Sequence, residues 1–438
     1  MNWSSEDNYD LMSDPDNPQT VTFEDIQAAL ARIRPYVPVT PVVLSHQSMT
    51  FTMNIIYKME SVLPSGSHKE RGVANALHQI SRDSKKVGLM IASLGNHAYS
   101  MAYHAARMNI PITAMFPDFV PIQKLQKIHA LGAKVLVRGT NIADTHKLAR
   151  AMAKEKGLLF INGRDHPNIL AGLGTIGIEI LEQVPTVDAV LVPVGTGGLI
   201  GSVGTVIKRL KPNCLVYGVQ SELMPVFAKA LEAGEPVTIP DVNTIADCLQ
   251  VTRAGVNAFH NAKSVIDKLL LVKEDWVARA ILALVEQERF VVEGAGACPL
   301  AAIIGHLVPE LKSKTVVCLI TGGNIDSSFL ARCFDRGLAA EGRLIKFRVG
   351  IKDSSPELGK LMRLIADLGF NVLRHFRDAV WVEDDVYHVE MRIVCEGRNL
   401  EHSLELKRAL DRAYAGLTLF DTEPFNDKSM CPCYVAKI

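Results

Sequence analysis

The sequence predicts an α/β fold, an open and mostly parallel sheet covered by helices, followed by a small α+β module. Three observations carry this. From Thr22 to about Gly342, short apolar runs alternate with longer amphipathic segments, the pattern of a parallel sheet buried on both faces. The apolar runs stop at glycine, serine, threonine or proline, as strands do where the chain turns into a helix. After Arg343 the rhythm changes to strand, helix, strand, strand, helix, strand, a split β-α-β layout.

The expected strands are Ile55–Met59, Gly88–Ala92, Ile112–Phe116, Lys134–Val137, Ala189–Pro193, Leu215–Gln220 and Thr315–Ile320, each too short for a helix. Between them the periodicity predicts helices over Arg71–Arg82, Gly95–Met108, Gln123–Leu131, Asn141–Lys156 and Leu199–Leu210. In the last part of the chain the clearest pieces are Leu344–Val349, Glu357–Leu368, Asn371–Phe376, Tyr387–Cys395 and Leu400–Ala413. Residues 1–20 are acidic and lack an apolar run, which predicts a disordered tail and no transit peptide. The expected organisation is therefore a tail (1–20), a main domain (21–342) and a separate module (343–438). No repeat with a period of 20–50 residues is evident.

Composition excludes several function classes. Lys plus Arg and Asp plus Glu both number 47, so no net field favours nucleic acid or an anionic membrane surface. No apolar window is long enough to span a bilayer. A small-molecule ligand is the expectation that remains. The eight cysteines are scattered, which in a chain of this size predicts reduced thiols and a cytoplasmic location. Cys431 and Cys433 form a C-x-C without a second ligand cluster nearby, so no metal site is expected there. The sequon Asn2-Trp3-Ser4 is read as chance, since nothing routes the chain to secretion.

Four junctions between strands and helices carry candidate chemistry, because ligands of open α/β sheets bind at the carboxyl ends of strands. In Ser65-Gly66-Ser67-His68-Lys69-Glu70-Arg71-Gly72 a lysine sits at the mouth of a helix, whose dipole disfavours a protonated amine. A lowered lysine pKa suits Schiff-base chemistry; the segment alone equally fits a surface lysine in a basic turn. Ser93-Leu94-Gly95-Asn96-His97 offers free N–H groups and polar side chains to a carboxylate, or is an ordinary helix cap. Gly195-Thr196-Gly197-Gly198-Leu199 can fold into a nest of N–H donors for a small terminal phosphate. It is no dinucleotide fingerprint, because Ile200 stands where the last glycine would be. Thr321, in Thr321-Gly322-Gly323-Asn324, places a hydroxyl at a strand end, where it can pair with a heterocyclic nitrogen without supplying charge.

These motifs, in this order and spacing, resemble the fold-type II pyridoxal-phosphate enzymes, and among them the serine/threonine dehydratases. The resemblance runs from about Thr22 to the end and includes Thr40-Pro41, Ala171-Gly172-Leu173-Gly174-Thr175, Thr244-Ile245-Ala246-Asp247, Glu293-Gly294-Ala295-Gly296 and Gly337-Leu338-Ala339-Ala340-Glu341-Gly342. It implies two open parallel-sheet subdomains, as in tryptophan synthase β, with the smaller (about 84–162) inserted in the larger. It implies pyridoxal 5'-phosphate as cofactor, held by Lys69 as a Schiff base, with Lys69 also moving the substrate's Cα proton. By the same resemblance Asn96 lies beside the cofactor's 3-hydroxyl, and Gly195, Thr196, Gly197, Gly198 and Leu199 form the phosphate loop. Thr321 faces the ring nitrogen, and Ser93, Leu94, Asn96 and His97 form the substrate-binding loop. The implied reaction is β-elimination, converting L-threonine to 2-oxobutanoate and ammonia, and L-serine to pyruvate.

The chain departs from the family pattern at several positions. Leu94 stands where serine racemases carry a second acid, so racemisation by that route is disfavoured. His68 replaces a phenylalanine, and Thr196 replaces a glycine and adds a hydroxyl. Gln220 and Val226 replace the acidic residues of metal-dependent members, so no divalent-cation site is expected. Residues 343–438 resemble an ACT-type regulatory domain, notably Arg343-Leu344-Ile345-Lys346-Phe347-Arg348-Val349 and Leu364-Ile365-Ala366-Asp367-Leu368-Gly369-Phe370-Asn371-Val372. That implies a homodimer or homotetramer and an amino-acid effector, although Ser355-Pro356-Glu357 replaces the usual Pro-Gly turn. A module that only oligomerises is the alternative. For the whole chain, the alternatives are a serine racemase, a β-replacement synthase, or a catalytically weak amino-acid sensor.

Overall fold

The structure is a computed structural model and describes residues 12–379 and 386–421. The sequon at Asn2, the first part of the acidic tail and the Cys431/Cys433 pair lie outside the described residues. By its contacts the chain divides into Met1–Leu330 and Ala331–Ile438.

Among the described residues the first unit holds ten strands: β1 (Val42–Leu44), β2 (Asn54–Met59), β3 (Leu89–Ala92), β4 (Ile112–Phe116), β5 (Lys134–Val137), β6 (Leu159–Phe160), β7 (Ala189–Pro193), β8 (Leu215–Ser221), β9 (Lys268–Val272) and β10 (Thr315–Ile320). Six form one sheet in the order β1-β2-β10-β7-β8-β9, and four form a second in the order β5-β4-β3-β6. All pairings are parallel except that of β1, which runs antiparallel to β2 at the edge. The smaller sheet spans Leu89–Phe160, within the stretch expected for the inserted subdomain. Strand β7 is buried along its whole length, as its unbroken apolar run requires.

Sequence reasoning misses the elements that lack a clean period. The helix Gly294–Ile304 is buried on every side and contains Pro299, so it has no polar face from which a 3.6-residue period could be read. Strand β9, with three consecutive leucines between lysines, shows no alternation. The helix expected over Arg71–Arg82 is two helices: Lys69–Gln79 stops where Ile80 turns extended, and Ser81 caps Arg82–Val87 by accepting from Ser84 N.

The expected disordered tail does not reach residue 20. Buried Asn257 must satisfy its amide, and it does so by donating to Met12 O (2.6 Å) and accepting from Gln19 N (2.7 Å). Val21 N is likewise fixed by Asn261 Oδ1 at 2.9 Å.

The second unit holds β11 (Leu344–Lys352), β12 (Asn371–Asp378), β13 (His388–Glu396) and β14 (Thr418–Phe420), in an antiparallel sheet ordered β12-β13-β11-β14. Helices Ser355–Asp367 and Leu400–Ala413 complete the βαββαβ order. Alternation along β11 and β13 buries Ile345, Phe347, Val349, Met391 and Ile393 against Leu361, Ile365, Leu406 and Leu410. The division falls before the expected junction at Arg343, within the helix Ser327–Ala340; after that helix the Gly342 carbonyl accepts the Ser403 hydroxyl at 2.5 Å. Among the described residues no helix is long and apolar enough to cross a membrane.

Candidate active site

Every residue the sequence singles out for chemistry lines one pocket of the first unit: Lys69, Ser93, Leu94, Asn96, His97, Gly195 to Leu199, and Thr321. They arrive from four strand ends, β2, β3, β7 and β10, as the open-sheet rule requires.

Lys69 is the first residue of the helix Lys69–Gln79. Its Nζ donates to Gly163 O at 3.1 Å. Burial, and then the charge of Arg164, push its ammonium down to about 8, with Cys248 acting in the opposite direction. At neutral pH a useful fraction of the amine is therefore unprotonated and nucleophilic. Gly163 has no room for a side chain, because a Cβ there would run into the His97 ring. His68, which departs from the family pattern, anchors the helix start: its N donates to Thr321 O (2.9 Å) and its Nδ1 lies 3.1 Å from the same oxygen. Burial, reinforced by Lys69, lowers His68 to about 3, so the ring stays neutral.

At the end of β3, Ser93 Oγ accepts from Gly95 N (3.1 Å) and Ala98 N (3.3 Å). It fixes the loop and opens the helix Asn96–Arg107 toward the pocket. Asn96 is not free: its amide donates to Glu293 Oε1 (2.8 Å) and Oε2 (3.0 Å), and its oxygen accepts from Asn324 Nδ2 (2.9 Å). His97 is 7% exposed, and burial, reinforced by Lys69, lowers it to about 3, so the ring stays neutral.

After β7, Gly197 adopts φ +97, and a Cβ would collide with the Phe227 ring. Only glycine serves there. The helix Gly198–Leu210 follows at once, so its first N–H groups, which have no partner within the helix, face the cavity. The Thr196 hydroxyl donates instead to Arg164 O at 3.3 Å, so the donor it adds is spent on backbone. At the end of β10, Thr321 is 2% exposed and its Oγ1 has no partner.

The pocket also contains residues to which sequence reasoning assigned no role: Gly163, Arg164, Cys248 and Glu293. Burial, followed by the repulsion of Asp247, raises Glu293 to about 7, and burial keeps the Cys248 thiol protonated. Glu293 lies inside a recognised phrase and so had a signal to follow. Gln220, at a position metal-dependent members fill with a carboxylate, spends its amide on Val194 O at 3.2 Å.

Fold and site together define an α/β enzyme with a lysine of lowered pKa in the same pocket as a glycine-lined helix N-terminus. Residues 33–322 match the family model described as pyridoxal-phosphate dependent enzyme, and the chain belongs to that family, among relatives named threonine ammonia-lyases. L-threonine ammonia-lyase of Thermotoga maritima is 35% identical over 391 residues, covering 89% of this chain and 97% of that protein. Threonine deaminase isoform 2 of Solanum lycopersicum is similar in structure, with a TM-score of 0.68 and 29% identity over 73% of this chain and 95% of that one. Maize serine racemase also has a TM-score of 0.68, with 26% identity over 72% of this chain and 97% of that one. The fold is the expected fold-type II architecture.

The residues fit the cofactor. An unpaired buried hydroxyl at Thr321, a glycine-lined helix N-terminus and a lysine of lowered pKa are the three features that a ring nitrogen, a phosphate and an aldehyde require.

Proposed function

We propose that this chain deaminates L-threonine to 2-oxobutanoate and ammonia, and L-serine to pyruvate and ammonia, by β-elimination. The observation that carries the reading is Lys69: an amine held at Gly163 O with its pKa brought down to about 8, in a pocket built around an anion cradle. Pyridoxal phosphate, when bound, supplies an electron sink for the pair left at Cα. The chain's own residues do the rest. Lys69 would hold the cofactor and, once freed, take the Cα proton as general base. Gly195 to Leu199 would hold the phosphate through backbone N–H groups. Thr321 would pair with the ring nitrogen as a neutral partner, and Asn96 lies at the edge expected to face the 3-hydroxyl. The N-terminus of Asn96–Arg107, with Ser93 fixing the turn and His97 beside it, would hold the substrate carboxylate.

Leu94 lines the pocket and is half-buried. Its isobutyl group cannot deliver a proton, so Lys69 is the group left to move the Cα proton, which favours elimination over racemisation. The second unit is read as an ACT-like regulatory domain that takes an amino-acid effector. The assembly is read as a homodimer or homotetramer, working in the cytoplasm. The test is incubation of the purified holoenzyme with L-threonine and L-serine. Oxo acid and ammonia in equal amounts are expected; D-serine as the main product would sink the proposal.

A further inference from the structure

Asn257 does not line the pocket, yet it is fully buried, in the helix Val256–Ala262. A buried amide is costly unless its N–H groups and its oxygen find partners. Asn257 satisfies all of them. Its Nδ2 donates to Asp165 O (2.8 Å) and to Met12 O (2.6 Å), and its Oδ1 accepts from Gln19 N (2.7 Å). One partner lies in the loop Asn162-Gly163-Arg164-Asp165, which precedes the helix Pro167–Gln183. The other two lie in the segment that leads from Met12 to the first helix. Both amide hydrogens are used, so the side chain is a bridge between loop and segment with no N–H left for a ligand.

The bridged loop is the one that meets Lys69. Gly163 O, two residues before Asp165, accepts from Lys69 Nζ at 3.1 Å. The rest of the loop is tied at two further points. The Asp165 carboxylate accepts from Asn257 N (3.1 Å) and Ala258 N (2.8 Å), and Arg164 O accepts from the Thr196 hydroxyl of the glycine-rich loop (3.3 Å). Gly255 leaves room for that carboxylate, because a Cβ there would run into Asp165. The segment has an anchor of its own: Val21 is buried, and its N donates to Asn261 Oδ1 at 2.9 Å. Loss of the Asn257 amide would therefore free Asp165 O and release Met12 to Gln19 from the loop, while Val21 stayed in place.

We propose that Asn257 is a positioning residue for Lys69: by strapping the Met12–Gln19 segment to Asp165 O, it holds the Gly163 carbonyl where the Lys69 amine is correctly placed to react. The inference rests on the deaminase reading above, in which that amine moves the Cα proton. Proton transfer requires the two heavy atoms at about 3 Å, and a misplacement of about 1 Å costs on the order of 10²-fold in rate. A loop held only by Thr196 and by the Asp165 carboxylate keeps its fold but loses the tie nearest the segment. The bridge thus affects rate more than substrate binding, since Asn257 itself touches no part of the pocket.

The experiment measures kcat and KM for L-threonine in the full-length holoenzyme, as wild type, Asn257→Ala and Asn261→Leu. It also measures the rate at which each cofactor-free protein captures pyridoxal phosphate. We expect Asn257→Ala to lower kcat by about tenfold at a KM within about threefold of wild type, and to slow capture by about tenfold. Asn261→Leu, which cuts the segment's other bond without touching the loop, should leave kcat and capture within about threefold. If Asn257→Ala fails to fold, Asn257→Ser, which keeps a hydroxyl at that depth, is held to the same criteria. A variant that loses only unfolding free energy, with kcat and capture unchanged, overturns the inference and leaves the deaminase reading standing. An equal fall in kcat in Asn261→Leu overturns it as well, because the effect would then belong to the segment at large. If the wild type releases no ammonia from threonine, the deaminase reading fails and capture alone decides: slowing by about tenfold in Asn257→Ala supports the positioning of Lys69, and an equal rate overturns it.

Discussion

Lys69 and Arg71 stand two residues apart on one helix, and the protein treats their charges in opposite ways. Arg71 is 1% exposed and its guanidinium is fully occupied: Nε donates to Glu60 Oε2 (2.7 Å), Nη1 to Glu179 Oε1 (2.6 Å), and Nη2 to Glu60 Oε1 and Glu179 Oε2 (both 2.8 Å). Lys58 adds a second cation, 2.5 Å from Glu179 Oε2, and Thr40 closes the cluster through a 2.7 Å bond to Glu60. Burial opposes the Arg71 charge, but the two carboxylates hold it above its ordinary range. Lys69 has one carbonyl for a partner, and its pKa falls. A buried charge that is fully paired serves as frame. One left short of partners is available for chemistry.

The largest effect that could break this contrast is on rate. Lys69→Ala is expected to lower ammonia release from threonine by about 10³-fold or more. In the cofactor-free protein its unfolding free energy in urea should fall by no more than about 1 kcal/mol, because one hydrogen bond is lost while the penalty of burying the ammonium is lifted. A variant that keeps its activity would show that the amine moves no proton. Next comes the frame. Arg71→Leu strands Glu60 and Glu179 with one cation between them and should cost about 3–5 kcal/mol in denaturant unfolding. If it lost turnover while keeping stability, Arg71 would belong to the chemistry and the contrast would be wrong.

The pH dependence of stability tests Lys69 from the other side. In the cofactor-free protein its pKa is about 8, against 10.5 in the unfolded chain. Below pH 8 both states carry the proton, and the folded state bears the burial penalty. Between 8 and 10.5 the folded amine is neutral and the unfolded one still charged, so the unfolded state binds more protons and stability rises with pH. The wild-type curve should therefore gain on that of Lys69→Met across this window, by up to about 3.4 kcal/mol. A difference curve that is flat there would mean that Lys69 titrates as an ordinary surface amine.

The same contrast explains what was legible in the sequence. Lys69, Ser93 to His97, Gly195 to Leu199 and Thr321 each lie in a short phrase at the end of an apolar run, and local chemistry marks such phrases. Most of the strands beneath them were legible for the same reason. Arg164 was not, because a basic residue in a loop has no local signal. Its meaning comes from the pocket, whose lining it shares with Lys69 and His97. A cue was present in Pro167, which opens the helix after the loop and marks Asn162 to His166 as another strand-to-helix junction. The frame was equally hidden. Lys58, Glu60, Arg71 and Glu179 come from a strand, a short turn and two helices, and no window of sequence contains them together.

Two threonines give the finest test. Thr175 Oγ1 donates to Gly172 O at 2.7 Å and lies 3.4 Å from Arg71 Nη1, so its hydroxyl belongs to the paired frame. Thr321 Oγ1 is equally buried and has no partner. A buried hydroxyl without a hydrogen bond costs free energy, and removing it with an isostere relieves that cost. In the cofactor-free protein, Thr175→Val should lose about 1 kcal/mol in denaturant unfolding, whereas Thr321→Val should gain about the same. Function should move the other way. Thr321→Val, without the hydroxyl proposed to pair with the ring nitrogen, should lower kcat for threonine about tenfold, the equivalent of about 1.4 kcal/mol. Opposite signs in stability at two threonines of similar burial would show that partnership, not depth, separates the frame from the site. Equal signs would show that depth alone had been read as chemistry.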